Sequence, residues 1–231
     1  MNKAIIKARS IARRIGLTRL YYRFAPQHGY EEKFHDAISS ELRAGDVVWD
    51  VGANIGVYTR MFAERAGNTG RVFAFEPMPD IFLTLCGQTF NYPWVQNEKI
   101  ALSDFDGSSR MLVEGESQTI GRLETFEGET TTGTSVDAKV MRGDSYWATS
   151  GMTPNLVKID VEGFEQEVLA GMAGLLAAPE LRAVFVEVHF GMLESRGHLE
   201  APLRIENLLR SKGLIPKWVD ASHIAARRRS A

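Results

Sequence analysis

The chain has 231 residues, 44% of them hydrophobic and 24% charged, with a formal net charge of −2. These are the proportions of a globular protein, and the length suits one α/β domain with a sizeable core. Cys86 is the only cysteine, which excludes an internal disulfide and favours a reducing compartment. No window approaches the roughly 18 apolar residues of a transmembrane helix, and charges interrupt the N-terminal apolar residues where a signal peptide would need an unbroken core. Cytoplasm is the expected location.

In chain order, residues 3–23 come first. Ile5, Ile6, Ile11, Ile15 and Leu20 fall roughly on one helical face, and the segment carries Lys3, Lys7, Arg9, Arg13, Arg14, Arg19 and Arg23 with no acid. Two readings stay open: a helix packing its apolar side on the domain, or one lying on an anionic membrane surface or a partner. Arg227, Arg228 and Arg229 make the other end basic as well, so the body between is acidic. An acidic body suits a cationic ligand and argues against nucleic acid as a partner. The chain divides into a basic helical extension (1–40), a main domain (41–220) with an insert (105–150), and a basic tail (221–231).

From Val47 the pattern alternates. Strands are predicted at 47–52, 71–76, 99–103, 156–161, 183–188 and 214–219, and helices near 55–66, 80–90, 164–177 and 199–212. Such alternation predicts a mostly parallel sheet with helices on both faces and a ligand at the carboxyl ends of the strands. Asp50, Glu76, Asp104, Asp160 and Glu187 all fall at such ends. Residues 105–150, rich in Gly, Thr, Ser and Glu, break the alternation and read as an inserted hairpin or lid over the ligand end. The chain stops soon after Trp218, so a closing antiparallel strand pair is expected to be short or incomplete.

The first strand runs into Gly52-Ala53-Asn54-Ile55-Gly56, a glycine turn opening a helix, which is the form of a nucleotide-type cofactor site. Asp50, two residues before Gly52, would repel a pyrophosphate but welcomes the α-amino group and sulfonium of S-adenosylmethionine. Asn54 stands where the dinucleotide fingerprint has its second glycine. Both features oppose a nicotinamide-dependent oxidoreductase, the rival enzyme class; the rival without chemistry is a binding module that uses its basic ends. Glu76 ends the next strand, about 20 residues after the turn, where an acid that takes ribose hydroxyls belongs.

Leu156 to Glu165 holds a second set. Asp160 sits in an apolar strand pattern and needs a partner, such as a cofactor ammonium or a metal; Glu162 and Glu165 suit a helix N-terminus. Glu187 and His189 are two apart on the next strand and share a face. His189 reads either as a structural histidine or as a general base.

Trp49 to Thr59, Phe75-Glu76-Pro77, Ala101 to Asp104 with Gly107, Lys158 to Glu165, Val168 to Gly171 and Glu187-Val188-His189 together resemble the FkbM family of S-adenosylmethionine-dependent methyltransferases. The resemblance spans residues 47–189 and leaves the basic helix and the insert uncovered. It implies a class I methyltransferase (Rossmann-like) fold and methylation of a hydroxyl on a sugar, glycan-linked or polyketide-type molecule. By motif position, Asp50, Gly52, Asn54, Gly56 and Tyr58 would line the methionine portion of the cofactor, Glu76 would take the ribose, Ser103 and Asp104 would lie by the adenine, and Asp160 would stand between cofactor and acceptor. His189 or Asp160 would accept the hydroxyl proton. Asp160, Glu162 and Glu187 could instead hold a divalent cation, but spacing alone gives no sign that they converge, and a metal-free route is favoured. No Asn/Asp-Pro-Pro-Tyr-like segment is present, and Cys86 falls in a helix away from the strand ends. Methylation of a nucleobase nitrogen or of cytosine C5 is therefore not expected.

Overall fold

In the computed structural model, residues 28–114, 120–123 and 134–229 are described. The basic helix expected over residues 3–23 lies outside them.

Strand β1 (Val47–Val51) is apolar at four of its five positions because it is covered on both faces. Its alternate residues enter two different cores. Val48 joins Phe34, Ile38, Phe62, Val72, Leu156 and Phe185, whereas Trp49 and Val51 join Phe73, Phe75, Val157, Ile159, Val184 and Val186. The period-two pleat carries this division through β2 (Arg71–Phe75), β8 (Leu156–Ile159) and β9 (Ala183–Glu187). Helices α1 (His28–Ser39) and α2 (Val57–Ala66) cover one face; α4 (Gly143–Ser150), α5 (Glu165–Gly171) and α7 (Ala201–Ser211) cover the other. The remaining elements are α3 (Pro79–Thr89), β3 (Val95–Glu98), β4 (Ala101–Ser103), β5 (Gly107–Glu114), β6 (Ile120–Leu123), β7 (Thr134–Arg142), α6 (Phe190–Ser195), β10 (Leu214–Trp218) and β11 (His223–Arg228).

The main sheet has seven strands in the order β10-β11-β9-β8-β1-β2-β3. Only β11 runs against its neighbours, pairing antiparallel with both β9 and β10. This is the class I methyltransferase arrangement, and the closing strand pair is complete. Residues 223–228 are therefore no basic tail. Ile224, Ala225 and Ala226 are fully buried in β11, while the Arg228 guanidinium donates to the carbonyls of Leu176, Ala178, Leu181 and Lys212. Two alanines carry little β signal, and the arginines mask the rest. The 1–40 boundary also moves: α1 buries Phe34 and Ile38 in the core, so residues 28–39 belong to the domain.

Two further expectations change. The strand read at 99–103 shortens to Ala101–Ser103, and a strand the sequence did not show, Val95–Glu98, precedes it. The edge of the main sheet is β3, whose polar Gln96-Asn97-Glu98 suits a half-covered edge. Ala101–Ser103 leaves for a second sheet of order β4-β7-β5-β6, which is what residues 105–150 build in place of a simple hairpin. The helix read at 164–177 ends at Gly171, and a separate 3-10 turn follows at Leu175–Ala177, where Asp144 accepts the amides of Gly174 and Leu175. Gly171 packs directly on β4: a Cβ there would lie 1.8 Å from the Ser103 carbonyl oxygen. Among the described residues, no helix is long and apolar enough to cross a membrane.

Candidate active site

A cavity opens at the carboxyl ends of β1, β2 and β8, under the second sheet. Gly52, Asn54, Glu76, Asp160 and Glu162 give it a polar side; Ile81, Leu102, Met111 and Phe164 give it an apolar one. Met111 comes from β5, so the insert contributes to the wall.

The glycine turn is shaped by the protein itself. Gly52 has φ +74°, and a Cβ would stand 1.8 Å from the Asp160 carbonyl oxygen. The close approach that requires glycine here is therefore that of the β8 end. Asn54 adopts φ +51° and accepts the Ile55 amide on Oδ1. Glu76 reaches under the turn: Oε2 accepts the Asn54 amide at 3.0 Å and Oε1 the Met78 amide at 2.9 Å. Burial pushes its carboxyl up to about 7, against the pull of those two amides.

Asp50 does not line the cavity. Strand alternation turns it toward α2, where it is fully buried, accepts the Thr59 hydroxyl at 2.6 Å and lies 3.2 Å from Lys158. Asp50 and Lys158 are register partners on adjacent parallel strands, which sets them side by side. Burial raises the Asp50 carboxyl above its usual range, opposed by Lys158 and by the Thr59 hydroxyl. Burial alone would lower the Lys158 ammonium, but Asp50 and Asp160 outweigh it and raise it. Lys158 also donates to the Gly52 carbonyl at 3.0 Å and lies 3.4 Å from Asp160 Oδ2, so one ammonium ties the glycine turn to two acids.

The other expected cofactor residues separate in the same way. Gly56 caps α2 with φ +90°, and the Tyr58 ring lies 5.2 Å from the Lys158 ammonium on the far side of the turn. Ser103 is buried beside Asp104, and Asp104 faces solvent. Neither lines the cavity; their neighbours Ala101 and Leu102 do, because β4 turns its apolar residues inward. Of the residues expected around the cofactor, Gly52, Asn54, Glu76 and Asp160 are brought together, and Asp50, Gly56, Tyr58, Ser103 and Asp104 lie outside the cavity lining.

Beyond Asp160 the site becomes strongly acidic. His189, at the end of β9, places Nδ1 2.7 Å from Glu165 and Nε2 3.3 Å from Glu162, 3.7 Å from Asp160 and 3.8 Å from Glu187. Burial disfavours its charge, but the surrounding carboxylates outweigh burial and push the imidazole up to about 9. Burial raises the Glu162 carboxyl, opposed by His189. Glu162 takes φ +50° in the tight turn before α5, and Arg196 clamps that turn by donating to the Gly163 carbonyl, binding Glu167 at 2.7 Å and stacking 3.6 Å over the Phe164 ring.

Several contributors were not legible as such. Lys158 was visible only as a charge inside a buried strand. The fully buried Glu165 read as a helix N-terminal acid. His223 extends the network from β11: its Nε2 lies 3.3 Å from Glu187 and its Nδ1 2.7 Å from Asp220. Burial opposes the His223 charge, yet Asp220 and Glu187 push it up to about 9. The Asp220-x-x-His223 spacing was the available signal.

The family described as "Methyltransferase FkbM domain" matches residues 50–215. The hexuronic acid methyltransferase AglP of Haloferax volcanii is 36% identical over 153 residues, 66% of this chain and 59% of AglP. The 31-O-demethyl-FK506 methyltransferase FkbM of Streptomyces tacrolimicus is 32% identical over 177 residues, covering 64% of this chain and 67% of that protein. A solved methyltransferase FkbM from Methylobacillus flagellatus KT shares the fold, with a TM-score of 0.52 at 14% identity over 78% of this chain and 43% of its own. The chain belongs to the FkbM family of methyltransferase domains.

Proposed function

We propose that the chain methylates a hydroxyl group on a sugar, glycan-linked or polyketide-type molecule, with S-adenosylmethionine as donor. The observation that carries this reading is the cavity itself: a buried acid with ribose-binding placement at one end, Glu76, joins an apolar wall at Ile81, Leu102 and Met111, and a cluster of carboxylates closes the other end. The residues present suit that cofactor. Glu76 keeps lone pairs for ribose hydroxyls, the apolar wall suits a purine, and the Gly52–Asp160 end offers negative charge to a cation.

Bound there, the cofactor supplies a methyl group on a positively charged sulfur. The chain's own residues then have two tasks: to hold an acceptor oxygen in line with that methyl group and to take up its proton. Asp160 and Glu162 border the cavity, whereas His189 stands behind them with both ring nitrogens turned to carboxylates. That placement favours a carboxylate of the cluster as proton acceptor and gives His189 the task of holding it. Carboxylates crowded at the acceptor end also favour a neutral alcohol over an anionic acceptor. One curated relative carries hexuronic acid in its name, which supports a sugar-type acceptor, and the other carries the 31-O position of FK506, which supports an oxygen acceptor.

The test is incubation of the purified chain with S-adenosylmethionine and a panel of neutral sugars, uronates and polyketide alcohols, followed by mass spectrometry. Gain of one methyl group on a neutral alcohol is expected. Binding of NAD in place of S-adenosylmethionine would overturn the reading.

A further inference from the structure

On the acceptor side of the cavity, one imidazole faces more carboxylates than it can neutralise. His189 Nδ1 is committed to Glu165, so Nε2 is the nitrogen presented to Glu162, Asp160 and Glu187. Glu165 has no exposed surface. One of its oxygens also takes the Gly163 amide at 2.8 Å, and the other, though buried, has no hydrogen-bond partner among the described residues. A buried carboxylate aimed at the rear nitrogen of an imidazole is the outer partner that metal-binding histidines usually have; it fixes the ring and makes the front nitrogen a better ligand.

The spacing in front of that nitrogen fits a coordination sphere. With metal–ligand bonds of about 2.1 Å, adjacent ligands stand about 3.0 Å apart in an octahedron and about 3.4 Å apart in a tetrahedron. Glu162 Oε2 and Asp160 Oδ1 lie 3.3 and 3.7 Å from His189 Nε2. The three ligand atoms offered by Asp160, Glu162 and His189 all fall within 4.8 Å of one another. Asp160 is divided between two tasks, because Oδ2 faces Lys158 while Oδ1 faces the imidazole.

We propose that Asp160 Oδ1, Glu162 and His189 Nε2 bind one divalent first-row cation beside the acceptor hydroxyl. The proposal rests on the function given above and replaces the metal-free route expected from the sequence, where convergence could not be seen. One imidazole with carboxylates suits Mn²⁺ better than Mg²⁺, which prefers oxygen ligands alone. A cation here acidifies the bound hydroxyl. As the oxygen–methyl bond forms, the methyl–sulfur bond breaks and its electron pair stays on sulfur, giving S-adenosylhomocysteine. The hydroxyl proton passes to the other oxygen of Glu162, the carboxylate that borders the cavity and is not shared with Lys158.

The test uses the full chain, treated with EDTA and desalted, then titrated with Mn²⁺ while electron paramagnetic resonance follows the free ion. One Mn²⁺ per chain is expected, with pulsed spectra showing coupling to one imidazole nitrogen. That coupling disappears in His189→Ala, and Glu162→Gln weakens binding by about tenfold or more. The Glu162 side chain is 36% exposed, so its variant retains the fold if His189→Ala does not. Absence of a saturable Mn²⁺ site, or binding that survives both substitutions, overturns the proposal. Equilibrium dialysis with labelled S-adenosylmethionine on the same EDTA-treated chain separates the two readings. Cofactor binding without Mn²⁺ binding removes only the cation site, whereas Mn²⁺ binding by a chain that ignores S-adenosylmethionine leaves the cation site and removes the methyltransferase reading.

Discussion

Replacing Lys158 by methionine isolates the charge that holds the glycine turn. Methionine keeps most of the stem volume and removes the ammonium, so Asp50 loses its neighbour at 3.2 Å while remaining fully buried. Stranding one partner of a buried ion pair costs about 3–5 kcal/mol. An independent bound comes from protonation: Asp50 can neutralise itself by taking a proton. From an unfolded value of about 3.9, holding that proton at pH 7 costs about 1.4 kcal/mol for each of three pH units, so the loss is capped at about 4 kcal/mol. The cap moves with pH. A carboxyl whose folded value is raised keeps its proton when folded and gives it up when unfolded. Stability therefore falls as pH rises above the unfolded value, until the folded value is reached. The urea-unfolding difference between wild type and Lys158→Met should accordingly be small near pH 4.5 and grow toward pH 7. Lys158→Met combined with Asp50→Asn should recover a large part of it, because no buried charge is then left alone. A difference that is flat with pH, or below about 1 kcal/mol at pH 7, would refute the claim that Lys158 stabilises the turn through charge.

Glu76→Gln should weaken S-adenosylhomocysteine binding about 10- to 100-fold in calorimetry, the loss of charge-assisted hydrogen bonds worth about 1.5–3 kcal/mol. With its carboxyl near 7, wild-type affinity should rise between pH 6 and 8 and the variant's should stay flat. Gly52→Ala combines a left-handed backbone with a Cβ 1.8 Å from the Asp160 carbonyl oxygen; strain of about 1–3 kcal/mol from φ alone, plus the clash, should lower the melting temperature and cofactor affinity together. His223 is raised from 6.5 to about 9, so its partners stabilise the fold fully below pH 6.5 and progressively less as pH rises through 9. His223→Gln should therefore cost on the order of 2 kcal/mol at pH 6 and little at pH 9.5 in denaturant titrations; an equal cost at both would refute the charged state of His223.

What the sequence made legible followed burial. Strands covered on both faces read as continuous apolar runs, so β1, β2, β8 and β9 were found to within about two residues of their ends. What it hid followed tertiary pairing. The edge strand β3 is polar because half of it meets water, and β11 is short, alanine-rich and ends on Arg227, which pairs with Glu41, and Arg228, which points into carbonyls rather than solvent. The candidate site divides similarly. Spacing located Glu76 and Asp160, since strand ends can be counted. It misplaced Asp50, because a strand end does not say which face its last acid takes. That depends on the Asp50–Lys158 register, a relation between segments 108 positions apart that no local window contains.

The same register explains how the site distributes its charge. Asp50 and Asp160 both end apolar strands, yet Lys158 touches both from a position that also holds the Gly52 carbonyl. Asp50 spends its charge inside the protein, on Lys158 and Thr59, and contributes little field to the cavity. Asp160 Oδ1 and, beyond it, Glu162 and Glu187 lie against the imidazoles of His189 and His223. Negative potential therefore builds from the β1 end of the cavity toward β8 and β9, so that positive charge is favoured on the side where an acceptor must approach. An acid-to-amide change at Asp50 should then act mainly on folding, and the same change at Glu162 on what the acceptor side binds.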